Sequence, residues 1–273
     1  MTFYPAPGKL NLFLHVVGKR SDGYHDLQTV FRLVAHADRV GIALREGREI
    51  RRTGAVFEND SCLKAAALLQ QASGHAKGCD LSLEKNLPVG GGMGGGSSDA
   101  ATVLLVLNRL WNLNLGKIEL MRLGERLGAD VPFFLFGGNA IGEGLGERLQ
   151  ALALEPAWYL VLTPQVAVST KEIFSDAALT ANTKRLKIPP FLSGQGTNDL
   201  EPIVRRRFPD VAAHLEWLKG RVPGARMTGS GACVFAEFRT KAEALALQRE
   251  LPGDLRGFVT QGLQKHPLHD WAA

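Results

Sequence analysis

The residues best suited to chemistry are bunched in one stretch, Pro88-Val89-Gly90-Gly91-Gly92-Met93-Gly94-Gly95-Gly96-Ser97-Ser98-Asp99, with six glycines in the seven residues 90–96. Glycines there let the backbone take positive φ and let N–H groups approach a ligand with no Cβ in the way. Ser97 and Ser98 lead straight into an apolar run, so the loop opens onto a predicted helix N-terminus. Orphan N–H groups and the helix dipole favour an anion at such a place. The dipole contributes ~0.3–2 kcal/mol, and each hydrogen bond to a charged group about 1.5–3 kcal/mol. The N–H array therefore dominates, and several such bonds together anchor a triphosphate. A flexible linker would not run directly into a serine cap and an apolar helix.

Other phosphate loops fit less well. No Gly-Lys-Ser/Thr follows the glycines, so this is not a Walker A loop. Gly90-x-Gly92-x-x-Gly95 satisfies the dinucleotide fingerprint, but the acid expected about 20 residues on is replaced by Asn112 and Asn114. Neither the HRD nor the DFG segment of a protein kinase is present.

The elements that must position this loop can be read from periodicity. Residues 9–17 alternate as a strand, with Leu10, Leu12, Leu14 and Val16 on one face and Lys9, Asn11, Phe13 and His15 on the other. A turn at Asp22-Gly23 and a second strand at 27–34 follow. Residues 60–72 read as a helix started by Asp60 or Ser61 and stopped by Gly74. Residues 80–85 form a strand into the loop, 97–111 a helix apolar on nearly every side, and 117–127 a further helix. The pattern restarts with a strand at 158–163, so the boundary is placed between 1–155 and 156–273. Helices near 170–176 and 210–219 and a strand at 232–238 come next. Thr240 with Glu243 forms a capping box, and a last strand lies at 257–261. Residues 181–198, rich in Pro, Gly and Lys, read as a mobile surface loop. Strands and helices interleave without strict βαβ alternation, which predicts an α+β fold.

The 273 residues, 45% apolar and 22% charged, are those of an ordinary globular protein. No apolar run approaches the ~20 residues of a membrane span, and no signal-peptide pattern opens the chain. The three cysteines, Cys62, Cys79 and Cys233, lie far apart and do not suggest a disulfide scaffold. A cytoplasmic protein is expected. The net charge of +5 is scattered apart from Arg205-Arg206-Arg207, so no nucleic-acid partner and no membrane partner is expected. His266-Pro-Leu-His269 lacks companion ligands, and no metal site is expected from protein residues alone.

The glycine stretch resembles the central ATP motif of the GHMP kinases, small-molecule kinases for acceptors such as galactose, homoserine and mevalonate. Two more segments match that family, Pro7-Gly8-Lys9-Leu10-Asn11-Leu12 and Met227-Thr228-Gly229-Ser230-Gly231-Ala232. Residues 10–31, 127–134 and 227–238 narrow the resemblance to the branch acting on a cytidine diphosphate sugar alcohol of the non-mevalonate isoprenoid route. It implies a two-domain fold with the active site in the cleft between domains, an N-terminal ATP-binding domain and a C-terminal substrate-binding domain. It also implies ATP as co-substrate with Mg2+, and a monomer or weak homodimer.

Site roles follow from the same resemblance. Lys9 and Asp130 match the catalytic pair. On its residues alone, Asp130 is open to two readings, because Val131-Pro132 behind it makes it a good helix N-cap. Carboxylates are feeble bases for alcohols, but phosphoryl transfer asks mainly for positioning and charge stabilisation. Tyr24 and His25 match residues that bind the cytosine, Phe174 the aromatic on its other face, and Thr170 and Asn11 further substrate contacts. Lys85 is either a nucleotide contact or a surface charge. One departure is Asn59-Asp60-Ser61 where the family reads Asp-Asn-Leu, which moves an expected adenosine contact to Asn59 or removes it.

Overall fold

Two long strands joined by a tight turn organise the chain, β1 (Thr2–Lys19) and β2 (His25–Arg45), paired antiparallel from Thr2 opposite Ile42 to Lys19 opposite His25. The computed structural model describes residues 1–55, 59–187 and 196–271. The other edge of β2 is divided. β4 (Gly78–Glu84) pairs with its Arg39–Arg45 end, and β5 (Ala140–Gly144) with its Leu27–Phe31 end. β3 (Ile50–Arg52) and β6 (Arg148–Ala151) complete this sheet, and only the β3–β4 pair in it is parallel. The second sheet holds β7 (Trp158–Leu162), β8 (Arg226–Met227), β9 (Val234–Phe238) and β10 (Gly257–Gln261) in the order β10-β7-β9-β8.

Helices α1 (Ser61–Ser73), α2 (Gly95–Leu110), α3 (Lys117–Glu125) and α4 (Val131–Phe136) pack on one face of the first sheet around Leu33, Ile42, Leu81, Val103 and Phe133. α2 is buried continuously from Ser98 to Asn108, as its all-round apolar sequence requires. Helices α5 (Thr170–Phe174), α6 (Glu201–Arg207), α7 (Pro209–Lys219) and α8 (Lys241–Arg249) belong with the second sheet. A cluster containing Leu10, Phe13, Val34, Tyr159, Val161 and Phe235 joins the two sheets. The fold is α+β.

Two expectations need correction. The alternation predicted for β1 breaks at a register shift between Asn11 and Phe13, so Leu12 and Phe13 both enter the inter-sheet cluster. The strand predicted to end at residue 34 runs to Arg45 and pairs in turn with β1, β4 and β5. Residues 188–195 of the expected 181–198 loop lie outside the described residues. Its described ends are tied down: Thr183 N–H donates to Val16 O at 3.1 Å, and Leu14 N–H to Thr197 O at 2.9 Å.

Candidate active site

The glycine loop crosses from β4 to α2 with Gly90, Gly92 and Gly94 at φ of 67°, 76° and 72°. Its carbonyls are spent on scaffold: Met93 O accepts from Lys9 N–H at 3.0 Å, and Gly90 O and Gly91 O from Ala232 and Cys233 N–H at 3.1 Å each. Cys233 lies against Gly91, and burial pushes its thiol up to about 12, so it stays a neutral packing group. The predicted serine cap is not what starts α2. Gly94 is its N-cap, and no side chain occupies the first-turn N–H groups, whereas Asp60 caps α1 through Cys62 and Leu63 N–H at 2.9 and 3.1 Å. The helix end is left open for a ligand. Ser98 turns away and donates to Pro7 O at 2.7 Å, which pins α2 to β1.

A cavity of about 580 Å³ runs along this loop. Pro88, Val89, Gly90, Gly91, Gly92, Met93, Gly94, Gly95, Gly96 and Ser97 all line it, with Val89 76% exposed at the mouth. Lys9 and Asp130 face each other across it, Nζ to Oδ2 at 3.5 Å. Lys9 is buried while about a third of the Asp130 side chain (32%) is exposed to the cavity. Asp130 occupies the N-cap position of α4, yet its carboxylate makes no capping bond. Of the two readings open for this aspartate, capping is excluded. The Lys9 ammonium also donates to Asn11 Oδ1, and Asn11 Nδ2 donates to Thr29 Oγ1 at 2.8 Å. Asn11 therefore lines the cavity but spends its carboxamide on orienting Lys9.

At one end the cavity is walled by Leu14, Leu27, Leu145 and Phe174, with Thr170 and Ser230 bonded hydroxyl to hydroxyl at 2.7 Å. The His25 ring lies against Phe174, 5.7 Å between centroids and tilted 31°. Burial, then Lys19, lowers the His25 pKa, so its imidazole is neutral at pH 7 and offers one donor and one acceptor. His25 stands beside Phe174 without lining the cavity itself, and Tyr24 is not brought to it at all. Tyr24 is 63% exposed on the turn, its N–H donating to Asp22 Oδ1 at 3.0 Å.

The opposite end is walled by Asn59, Ser61, Leu83 and Ala100. Asp60 is committed to its cap and to Arg52 at 3.3 Å, while Asn59, at φ 57° and exposed, accepts from the Lys64 ammonium at 3.4 Å. Lys85 lines the cavity but is not a surface charge; its ammonium contacts Asp38 and, at 3.0 Å, Asp99. Burial alone would lower the Lys85 pKa, but Asp99 and Asp38 outweigh it and hold the amine charged. Burial raises Asp99 to about 7, with Lys85 opposing and Asp38 adding to the rise. A carboxyl with a folded pKa above its ordinary 3.8 makes the fold less stable as pH rises from about 4 to about 7. Asp99→Asn removes that slope. Denaturant unfolding should show the variant gaining stability relative to the parent between pH 5 and pH 8, and a constant difference would contradict this.

Sequence reasoning missed one support of the second glycine turn. Asn198 is buried and donates to Met227 O at 2.9 Å and Gly229 O at 2.8 Å, fixing the second glycine turn against the cavity. Thr228 Oγ1 in that turn accepts from Asn11 N–H at 2.9 Å. No local signal in residues 196–199 announces partners about 30 positions away.

The family description GHMP kinases N terminal domain matches residues 60–138, and GHMP kinases C terminal matches 184–256. This chain belongs to the GHMP kinases, ATP-dependent kinases of small molecules. A 4-diphosphocytidyl-2-C-methyl-D-erythritol kinase of Nitrosospira multiformis is 56% identical over 275 residues, covering 98% of this chain and 93% of the relative. One of Thiobacillus denitrificans is 54% identical, covering 98% of each chain. The crystal structure of a 4-(cytidine 5'-diphospho)-2C-methyl-D-erythritol kinase superposes with a TM-score of 0.84 at 33% identity, over 96% of this chain and 100% of that one. A homoserine kinase from Cytophaga hutchinsonii, at TM-score 0.71 and 16% identity over 97% of this chain and 94% of that one, shares the fold. Among the described residues no helix is long and apolar enough to cross a membrane.

Proposed function

We propose that this chain transfers the γ-phosphoryl group of ATP to the 2-hydroxyl of 4-diphosphocytidyl-2-C-methyl-D-erythritol, giving the 2-phosphate and ADP in non-mevalonate isoprenoid precursor synthesis. The observation that carries this is the Lys9–Asp130 pair, which stands in one cavity with the uncapped, glycine-lined end of α2 and with Phe174, against which His25 lies. The N–H groups of the loop and of α2 bind the triphosphate. Asp130 orients the acceptor hydroxyl and takes its proton late in the transfer, and Lys9 offsets charge on the moving phosphoryl group. The acceptor oxygen bonds to the γ-phosphorus as the bond to the bridging oxygen of ADP breaks. Neutral His25 reads the cytosine edge and Phe174 covers one face, with Tyr24 closing on the other from its exposed turn. Base–aromatic stacking contributes ~1–3 kcal/mol in nucleic-acid binders.

Magnesium fits as a passenger on the nucleotide. Among the described residues no three His, Cys, Asp or Glu side chains gather into a site. Mg2+ is commonly held by substrate phosphates with one or two protein oxygens, and here the Ser97 hydroxyl, which lines the cavity at the open end of α2, would supply one. The ion would neutralise phosphate charge.

The first half, residues 1–155, would be the ATP-binding domain and 156–273 the substrate-binding domain, with Asn11, Tyr24 and His25 reaching across from the β1–β2 hairpin. The same reading gives a cytoplasmic enzyme, a monomer or weak homodimer, with small-molecule partners and no nucleic acid. Mevalonate and homoserine carry no base for His25 and Phe174 to read. Coupled ADP release should be at least 10³-fold faster, as kcat/KM, with 4-diphosphocytidyl-2-C-methyl-D-erythritol than with either, on the scale of sites built for polar contacts. Comparable turnover of the three would contradict the acceptor assignment.

A further inference from the structure

The loop wall of the cavity is held by a carboxylate that belongs to none of the three family-like motifs. Asp38 lies on β2 with 0% of its surface exposed. Its Oδ1 accepts from the N–H groups of Asn86 at 2.6 Å and Leu87 at 2.7 Å, the two residues that enter the glycine loop. Its Oδ2 accepts from the Lys85 ammonium, which donates in turn to Asp99 on α2 at 3.0 Å. One side chain thereby ties the sheet to the loop entry and, through Lys85, to the helix whose open end faces the cavity. The clamp sits directly under that end: a Cβ on Gly95 would stand 3.0 Å from Lys85 Nζ and 3.3 Å from Asp38 Oδ2.

We propose that Asp38 is a positioning residue for the nucleotide: it fixes where Lys85 and the first-turn N–H groups of α2 stand, and so sets ATP affinity without touching ATP. The inference rests on ATP occupying the glycine loop. Lys85, Gly95 and Asp99 line the cavity, while Asp38 stands behind them. Two backbone N–H bonds to one carboxylate oxygen define the loop entry to a fraction of an ångström. A shift of that size in the donors loses affinity for a ligand held by several aligned bonds. Asp38→Asn keeps an oxygen for Asn86 and Leu87 but presents an amide where Lys85 needs a charge.

The test is steady-state kinetics of Asp38→Asn in the full chain, varying ATP and the cytidylyl acceptor separately, with thermal unfolding alongside. KM for ATP should rise at least 10-fold, while kcat at saturating ATP and KM for the acceptor stay within about twofold. An unchanged KM for ATP would overturn the inference, as would a parallel loss in all three constants. Asp38→Ser, shorter and unable to span the three donors, repeats the test. If neither variant folds, Asp38 is a fold residue and the proposal fails. Turnover of the parent protein with ATP checks the underlying reading independently, so the two failures are distinguishable.

Discussion

Asp130→Asn should fold and bind both substrates yet lose about 10²–10⁴ in kcat, the span of acid–base and orienting groups. Folding should survive because the carboxylate supports no capping bond and is partly exposed; its contact is the Lys9 ammonium at 3.5 Å. KM for ATP should change by no more than a few-fold, since the first-turn N–H groups of α2 are untouched. The partner variant Lys9→Met should lose a similar factor. Because the two side chains act as a unit, the double variant should be little worse than either single one. Independent losses that multiply would mean that the ion pair is incidental. Near-normal turnover of Asp130→Asn would remove the aspartate from the mechanism.

Gly92→Ala should be the most damaging change in the loop. At φ 76°, a Cβ there would lie 2.2 Å from Thr228 O and 3.1 Å from Gly231 O, both backbone atoms of the second glycine turn. Backbone on both sides leaves no flexible side chain to yield. Left-handed backbone for a non-glycine residue costs about 1–3 kcal/mol, and separating the loop from the turn adds to that. The expected result is a loss of about 2–4 kcal/mol in unfolding free energy, within the upper range for single substitutions, with ATP binding weakened at least 10-fold. Gly253→Ala is the control, since nothing lies within 4 Å of a Cβ there. It should leave stability within about 0.5 kcal/mol, as surface substitutions usually do. Chemical denaturation and nucleotide titration read both.

Local physics made much of this legible beforehand. Asp60 and Gly74 bound α1, the Thr240–Glu243 box opens α8, and β10 spans the residues expected for the last strand, because those signals act within a few positions. The short strands β5 and β6 were not read: their glycine-rich hairpin, with Gly144 and Gly146 at positive φ, resembles a loop until β2 supplies a partner. The bulge in β1 was invisible for the same reason, since register is set by the neighbouring strand. In the site, the loop and the Lys9–Asp130 pair came from sequence, the pair by family resemblance alone. Asp38 did not, although it governs the loop entry, because in Ala37-Asp38-Arg39 it looks like an ordinary strand-surface charge. Only tertiary structure places it beside residues 85–87. The choice between the two readings of Lys85 stayed open in the sequence because its two carboxylate partners are 47 and 14 positions away.

In the proposed reaction Lys9 and Asp130 direct phosphoryl transfer to a hydroxyl of the sugar alcohol, and not to water or to the cytidine moiety. Phosphorus NMR of the products from ATP and 4-diphosphocytidyl-2-C-methyl-D-erythritol tests it most directly. One new phosphomonoester resonance, on the methylerythritol carbon bearing the 2-hydroxyl, should appear in stoichiometric step with ADP, with the cytidine diphosphate pair of resonances retained. ADP accompanied by inorganic phosphate, or a monoester on the cytidine ribose, would contradict it.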